Sequence, residues 1–125
     1  MLSDMKESIL KNKSFGFAVR IVKLYKYLSE EKKEFVLSKQ VLRSGTSVGA
    51  MVREAEHSES KADFIHKMAI AQKEINETLY WLELLNVNEY LSLEMFNSLN
   101  NDAIEIIKMI TSSIKTAKQN LTTNH

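Results

Sequence analysis

Residues 40–85 read QVLRSGTSVGAMVREAEHSESKADFIHKMAIAQKEINETLYWLELL, a stretch that holds two helices and the junction between them. In its first half Val41, Gly45, Val48, Val52 and Ala55 recur at i, i+4, i+7, i+11 and i+14, which aligns them on one face of an α-helix. The segment LRSGTSVGA inside that pattern is full of residues with weak helix propensity, so tertiary packing has to hold it helical. Gly45 and Gly49, with Ser44, Ser47 and Ala50, leave almost no side-chain bulk on one side, which lets another helix approach closely, within the chain or from a second copy. In the second half Ser60-Lys61-Ala62-Asp63 has the form of a capping box: the Ser hydroxyl accepts from the third backbone N–H and the acid reaches back. Asp63 in the first turn also suits the helix dipole. Ile65, Met68, Ile75, Leu79 and Leu82 then follow one face to about Asn86, with Phe64, Ala71 and Leu85 beside them. Trp81 falls one step off this stripe, at a helix edge or in a contact between copies.

Working outward, Phe17, Ile21, Leu24 and Leu28 predict an upstream helix from Ser14 to about Ser29, with Ala18, Val22 and Tyr25 widening its apolar stripe. The all-polar run SEEKKE at residues 29–34 reads as a solvated connection, and the next helix is expected to begin between Val36 and Lys39. Downstream, a helix from near Ser92 carries Phe96, Leu99, Ala103, Ile106, Ile110, Ala117 and Leu121, broadened by Ile107 and Ile114. The chain has 125 residues, no Pro and 3 Gly, so little in it ends a helix early. No strand pattern is present. The expected architecture is all-α, an antiparallel up-down four-helix bundle over residues 14–119, with an N-terminal segment 1–13 and a frayed tail 120–125.

Composition narrows the chemistry. With no Cys, disulfides, thiolate metal sites and cysteine nucleophiles are excluded together. The first thirteen residues lack the apolar stretch of a secretory signal, and the longest all-apolar run, Met68 to Ala71, is far short of the ~20 residues of a membrane span. A soluble, cytoplasmic protein with no membrane partner is expected. A phosphate-binding loop at Gly45 is disfavoured because its Lys-Ser/Thr ending and a preceding strand are missing; a membrane Gly-xxx-Gly contact is disfavoured because Arg43, Arg53 and Glu54 flank it. Glu54-x-x-His57 and Asp63-x-x-His66 have the spacing used in carboxylate-bridged metal pairs. Both sit at one end of the bundle, Asp63 is used by the cap, and the other helices offer no inward carboxylate. Ser58 beside His57 fails as a nucleophile and base, since adjacent helical residues point apart. Glu74 and Glu77 share a face and are expected to pair with Arg43, Arg53 or Lys73 rather than to do acid–base work. No catalytic residue, metal or cofactor is expected.

Charge supplies the functional lead. Residues 1–53 hold 11 Lys or Arg against 5 Asp or Glu, a net of +6, while residues 54–125 hold 6 against 11, a net of −5. One meaning is that basic early helices lie against acidic later ones. The other is a phosphate-binding face made of Lys13, Arg20, Lys23 and Lys26 on the first helix and Lys32, Lys33, Lys39 and Arg43 after it, with Tyr27 placed to stack on an unpaired base.

Gln40, Arg43-Ser44-Gly45-Thr46-Ser47, Gly49-Ala50, Glu54-Ala55, Ser60-Lys61-Ala62-Asp63-Phe64, Lys73-Glu74, Glu77-Thr78 and Tyr80-Trp81-Leu82, with the upstream Phe15, Arg20 and Lys23, carry a resemblance over nearly the whole chain. They resemble the bacterial four-helix bundle family first noted as proteins encoded in intervening sequences of 23S ribosomal RNA genes. The resemblance implies an up-down bundle, assembly into homopentameric rings and no enzyme activity. The accessory protein of diversity-generating retroelements is similar in fold, is basic, and partners a reverse transcriptase and nucleic acid. Two features depart from the pattern: Met51 stands where the family usually has Asn, and this chain is less basic than the retroelement relative. Gly45, Gly49, Tyr80 and Trp81 are the candidate residues for contacts between copies or for close helix packing. The expected function is a non-enzymatic, nucleic-acid-associated scaffold, with a protein-docking scaffold for a partner enzyme as the alternative.

Overall fold

The computed structural model describes residues 2–123, with side chains from Met5 to Leu121. Helices α1 (Leu2–Glu30), α2 (Leu37–Glu56), α3 (Lys61–Val87) and α4 (Leu93–Thr123) follow one another through short connections. Consecutive helices pack along their lengths and α1 closes against α4, which is up-down packing. The α1–α2 and α3–α4 turns therefore share one end, and the α2–α3 turn lies at the other with the start of α1 and the end of α4.

The core follows the stripes read from the sequence and extends them at the start of α1, although Ile65, Leu79, Phe96 and Ala117 are only half-buried and Leu91, between α3 and α4, joins the core. Phe17, Ile21, Leu24 and Leu28 of α1 meet Val41, Val48, Val52 and Ala55 of α2, Met68, Ile75 and Leu82 of α3, and Leu99, Ile106 and Ile110 of α4, all buried. Where a start at Ser14 was expected, α1 begins at Leu2. Leu10 and Ser14, each 1% exposed, continue the stripe of Phe17 and Ile21 backwards at helical spacing; the polar run Lys11-Asn12-Lys13 between them interrupts only the outward side. At the far end α4, 31 residues and so ~46 Å long, outruns the 20-residue α2 at ~30 Å. Leu121, expected on the buried stripe, is consequently exposed. Of the expected frayed tail, residues 120–123 continue the helix, and Asn124 and His125 lie outside the described residues.

Three local devices fix the frame. Ser60 Oγ accepts from the Asp63 N–H at 3.0 Å as expected, while the Asp63 carboxylate accepts from the Glu59 N–H at 3.2 Å, one residue further back than a capping box requires. Glu34, read as part of a solvated connection, starts α2. Its carboxylate accepts from the backbone N–H groups of Leu37 and Ser38 at 3.1 and 2.7 Å, and its own N–H donates to the Leu28 carbonyl at 2.9 Å. Because Val36 at the N-cap has no side-chain acceptor, removing this carboxylate orphans the first N–H groups of α2. Glu34→Ala is expected to lower stability by about 1–2 kcal/mol in urea denaturation, at the upper end for losing a cap. Finally, Thr78 Oγ1 lies 2.9 Å from Ser44 Oγ and 2.8 Å from the Glu74 carbonyl, so two fully buried hydroxyls satisfy each other across α2 and α3.

Gly45 and Gly49 serve contact within the chain. A Cβ at Gly45 would stand 2.8 Å from Ile21 Cγ1, and one at Gly49 would stand 3.2 Å from the Ser14 carbonyl oxygen. The small-residue flat of α2 is where α1 lies down.

Candidate nucleic-acid interface

The eight basic residues singled out by charge separate into two groups. Lys13 Nζ is 2.8 Å from a Glu105 carboxylate oxygen, and that hydrogen bond raises the lysine above its ordinary pKa. Arg20 pairs with Asp102 and also donates to Ser98 Oγ at 2.8 Å. Arg43 pairs with both Glu74 and Glu77. For these three the basic-against-acidic reading describes the geometry: α1 is laced to α4, and α2 to α3. Lys11 with Glu56 adds another such pair, whereas Lys67 with Glu54 runs the other way, from a cation on α3 to an acid on α2.

The second group is different. The side chains of Lys23, Lys26, Lys33 and Lys39 are exposed and make no hydrogen bond or ion pair among the described residues, while Lys32 Nζ lies 5.8 Å from the centre of the Tyr27 ring. All five belong to the last two turns of α1, the α1–α2 turn or the first turn of α2. A groove of about 320 Å³ between α1 and α4 brings Arg20, Lys23 and Tyr27 together over Met95 and Leu99. Tyr27, expected as a free stacking ring, is half-buried against the core with Lys32 beside it. The exposed ring at this end is Phe35, at 54%. Phe35 stands between the polar run 29–34 and the apolar stripe of α2, where no helical periodicity assigns it a side.

Tyr80 and Trp81 form a separate arrangement. The Trp81 ring is half-buried and packs edge-on to Tyr80 at 5.1 Å, while its Nε1 donates to Glu77 at 2.9 Å. That hydrogen bond, helped by Arg43, holds the Glu77 carboxyl below its ordinary value, and Glu77 in turn holds Arg43 above its own. A depressed carboxylate contributes stability above its unfolded value, and the contribution is lost as pH falls through the lower folded one. Trp81 is the single Trp, so its fluorescence reports this group. An acid titration of the emission is expected to show a midpoint below the usual glutamate range, moving upward in Arg43→Gln.

The remaining candidates have other occupations. His57 and His66 are exposed, the Asp63 carboxylate accepts from the Glu59 N–H ahead of α3, and the Ser58 hydroxyl donates to the Ala55 carbonyl at 2.7 Å. No three His, Cys, Asp or Glu side chains converge into a metal-holding group among the described residues. A larger cleft, about 380 Å³, opens at the opposite end between Lys6, Glu56, Ser60, Lys61, Ser112 and Thr116, mixing both charges and containing none of the expected basic residues. No helix among the described residues is long and apolar enough to cross a membrane.

Comparison with known proteins places this geometry. The model of the 23S rRNA-intervening sequence protein family matches residues 6–112. This chain belongs to that family. A solved structure of a protein of unknown function from the S23 ribosomal protein family of Bacteroides thetaiotaomicron VPI-5482 is similar to it. The two are 60% identical, superpose with a TM-score of 0.87, and the match covers 88% of this chain and 98% of the other. No curated protein matches the chain. The similarity to that solved structure of the 23S rRNA-intervening sequence family extends over all four helices.

Proposed function

We propose that this member of the family is a non-enzymatic, self-assembling helical scaffold that binds RNA or DNA through the phosphate backbone. One observation carries the reading: Lys23, Lys26, Lys32, Lys33 and Lys39 gather around one end of the bundle with no carboxylate partner, while other cations of the same half-chain are tied to acids. Cations free of internal partners are the ones able to release counterions from a nucleic acid. Such contacts read no sequence, so affinity should follow charge and salt.

Assembly is the second element. Met5, Ile9, Phe15, Val19 and Val22 lie along the outward side of α1 at 38 to 60% exposure, a longer apolar run than a solitary bundle needs. The partner we assign to it is a second copy, in a ring of five that would bring five lysine clusters onto one particle and raise avidity without new contacts. Light scattering should give about five times the 14.4 kDa of one chain; a single-chain mass removes this element.

Labelled single- and double-stranded RNA and DNA, titrated at low and moderate salt, test the main claim. Binding that weakens linearly in log–log form as salt rises is expected, and absence of binding at low salt overturns it. A protein-docking scaffold for a partner enzyme such as a reverse transcriptase is the second reading, favoured by the exposed Tyr80, Val87 and Leu93 on α3 and α4. It gains if capture of such a partner survives loss of the lysines.

A further inference from the structure

We propose that the α1–α2 turn is a base-stacking site for single-stranded nucleic acid, with Phe35 as the platform and Lys32, Lys33 and Lys39 as its phosphate contacts. The inference rests on the nucleic-acid reading above and narrows its substrate to strands with unpaired bases. Phe35 is 54% exposed and Val36 70%, although the turn they occupy is firmly held. Glu34 ties that turn at both sides: its N–H reaches back to the Leu28 carbonyl, and its carboxylate holds the first N–H groups of α2. Glu31 and Lys32 both donate to the Tyr27 carbonyl, and Lys33 takes a left-handed φ of 54°. The chain is thus fixed on either side of an aromatic ring that faces water. Fixing it beforehand removes most of the ordering cost that a mobile loop would incur on binding.

The neighbours of the ring decide what it fits. Lys32 and Lys33 precede it and Lys39 follows one turn into α2; Lys33 and Lys39 have no internal partner. An exposed π-face with lysines before and after it along the chain matches a nucleotide, whose base stacks while its phosphates meet the cations. A duplex keeps its bases stacked on one another and offers no face to Phe35 except at its ends, so the preference is for a single strand. Glu30, Glu31, Glu89 and Glu94 are at the same end of the bundle. A flexible strand can run past the lysines and avoid these carboxylates, whereas a flat anionic membrane would meet both together.

The test uses the full chain and three probes: a 12-nucleotide single-stranded oligomer without secondary structure, a blunt duplex of the same sequence, and vesicles containing phosphatidylserine. Phe35→Ala removes an exposed ring and leaves the core untouched, so an unchanged melting temperature is expected. Its affinity for the single strand should fall roughly 5- to 150-fold, the range for losing one base–aromatic stack, with duplex affinity unchanged and Phe35→Trp retaining single-strand binding. Equal losses on both oligomers, or no loss on the single strand, overturn the stacking site and leave the phosphate-binding scaffold standing. Failure to bind either oligomer at low salt overturns the scaffold reading itself. Binding to the vesicles in place of the oligomers overturns both and assigns the turn to a membrane surface.

Discussion

Gly45→Ala is expected to destabilise the bundle while Gly16→Ala stabilises it, though both make the same chemical change in the middle of a helix. At Gly16 an added Cβ meets nothing within 4 Å, so the gain in helix propensity, up to about 1 kcal/mol, is realised without a clash. At Gly45 the same atom stands 2.8 and 2.9 Å from the two γ carbons of Ile21. Ile21 is fully buried, and a β-branched side chain in a helix has essentially one rotamer, so those carbons cannot swing aside. The helices have to part instead, at an overpacking cost of about 1–3 kcal/mol that exceeds the propensity gain. Gly45→Leu extends the clash and is expected to leave no cooperative unfolding transition. Urea melts followed by circular dichroism of the three variants check the ordering. A Gly45→Ala protein as stable as the parent would show that α1 and α2 do not depend on this approach.

The sequence made the elements legible wherever a residue's role followed from its own helix. Most of the stripe of α3, its Ser60 cap and a start of α2 between Val36 and Lys39 were readable because periodicity and the Ser60 cap are local. The start of α1 was not, since Leu10 and Ser14 belong to the core only through helices folded against them, and a serine in the stripe does not look like core. Ser14 is buried because its backbone is the surface on which Gly49 rests. Charge was half legible. The split between +6 and −5 was plain, but which cations would be consumed depends on the partner helix: Arg43 meets Glu74 and Glu77 across α2 and α3, whereas Arg53, an equal candidate for them in the sequence, stacks at 5.3 Å on the Phe15 ring. Glu34 and Phe35 were hidden for a related reason. In a run of polar residues nothing marks which carboxylate will cap a helix, and nothing marks which aromatic it will leave in water.

The division between free and paired cations gives the second large expected effect. Replacing Lys23, Lys26, Lys33 and Lys39 together by Gln should reduce the dependence of log affinity on log salt by about 3, at ~0.7–0.9 per lost phosphate contact. At physiological salt that corresponds to a loss on the order of 100-fold or more. The matched variant carries Lys13→Gln, Arg20→Gln and Arg43→Gln, which remove nearly as much charge from the same half of the chain. Those side chains already stand against Glu105, Asp102, Glu74 and Glu77, so they have few counterions of a nucleic acid to release. Its salt slope should stay at the parent value, and at 0.15 M, where fields are screened beyond ~8 Å, its affinity should stay close to the parent's. Fluorescence anisotropy over a salt series separates the two variants, and circular dichroism confirms that each is folded. If both lose slope equally, net charge rather than a local contact set governs binding, and the α1–α2 end is not the site.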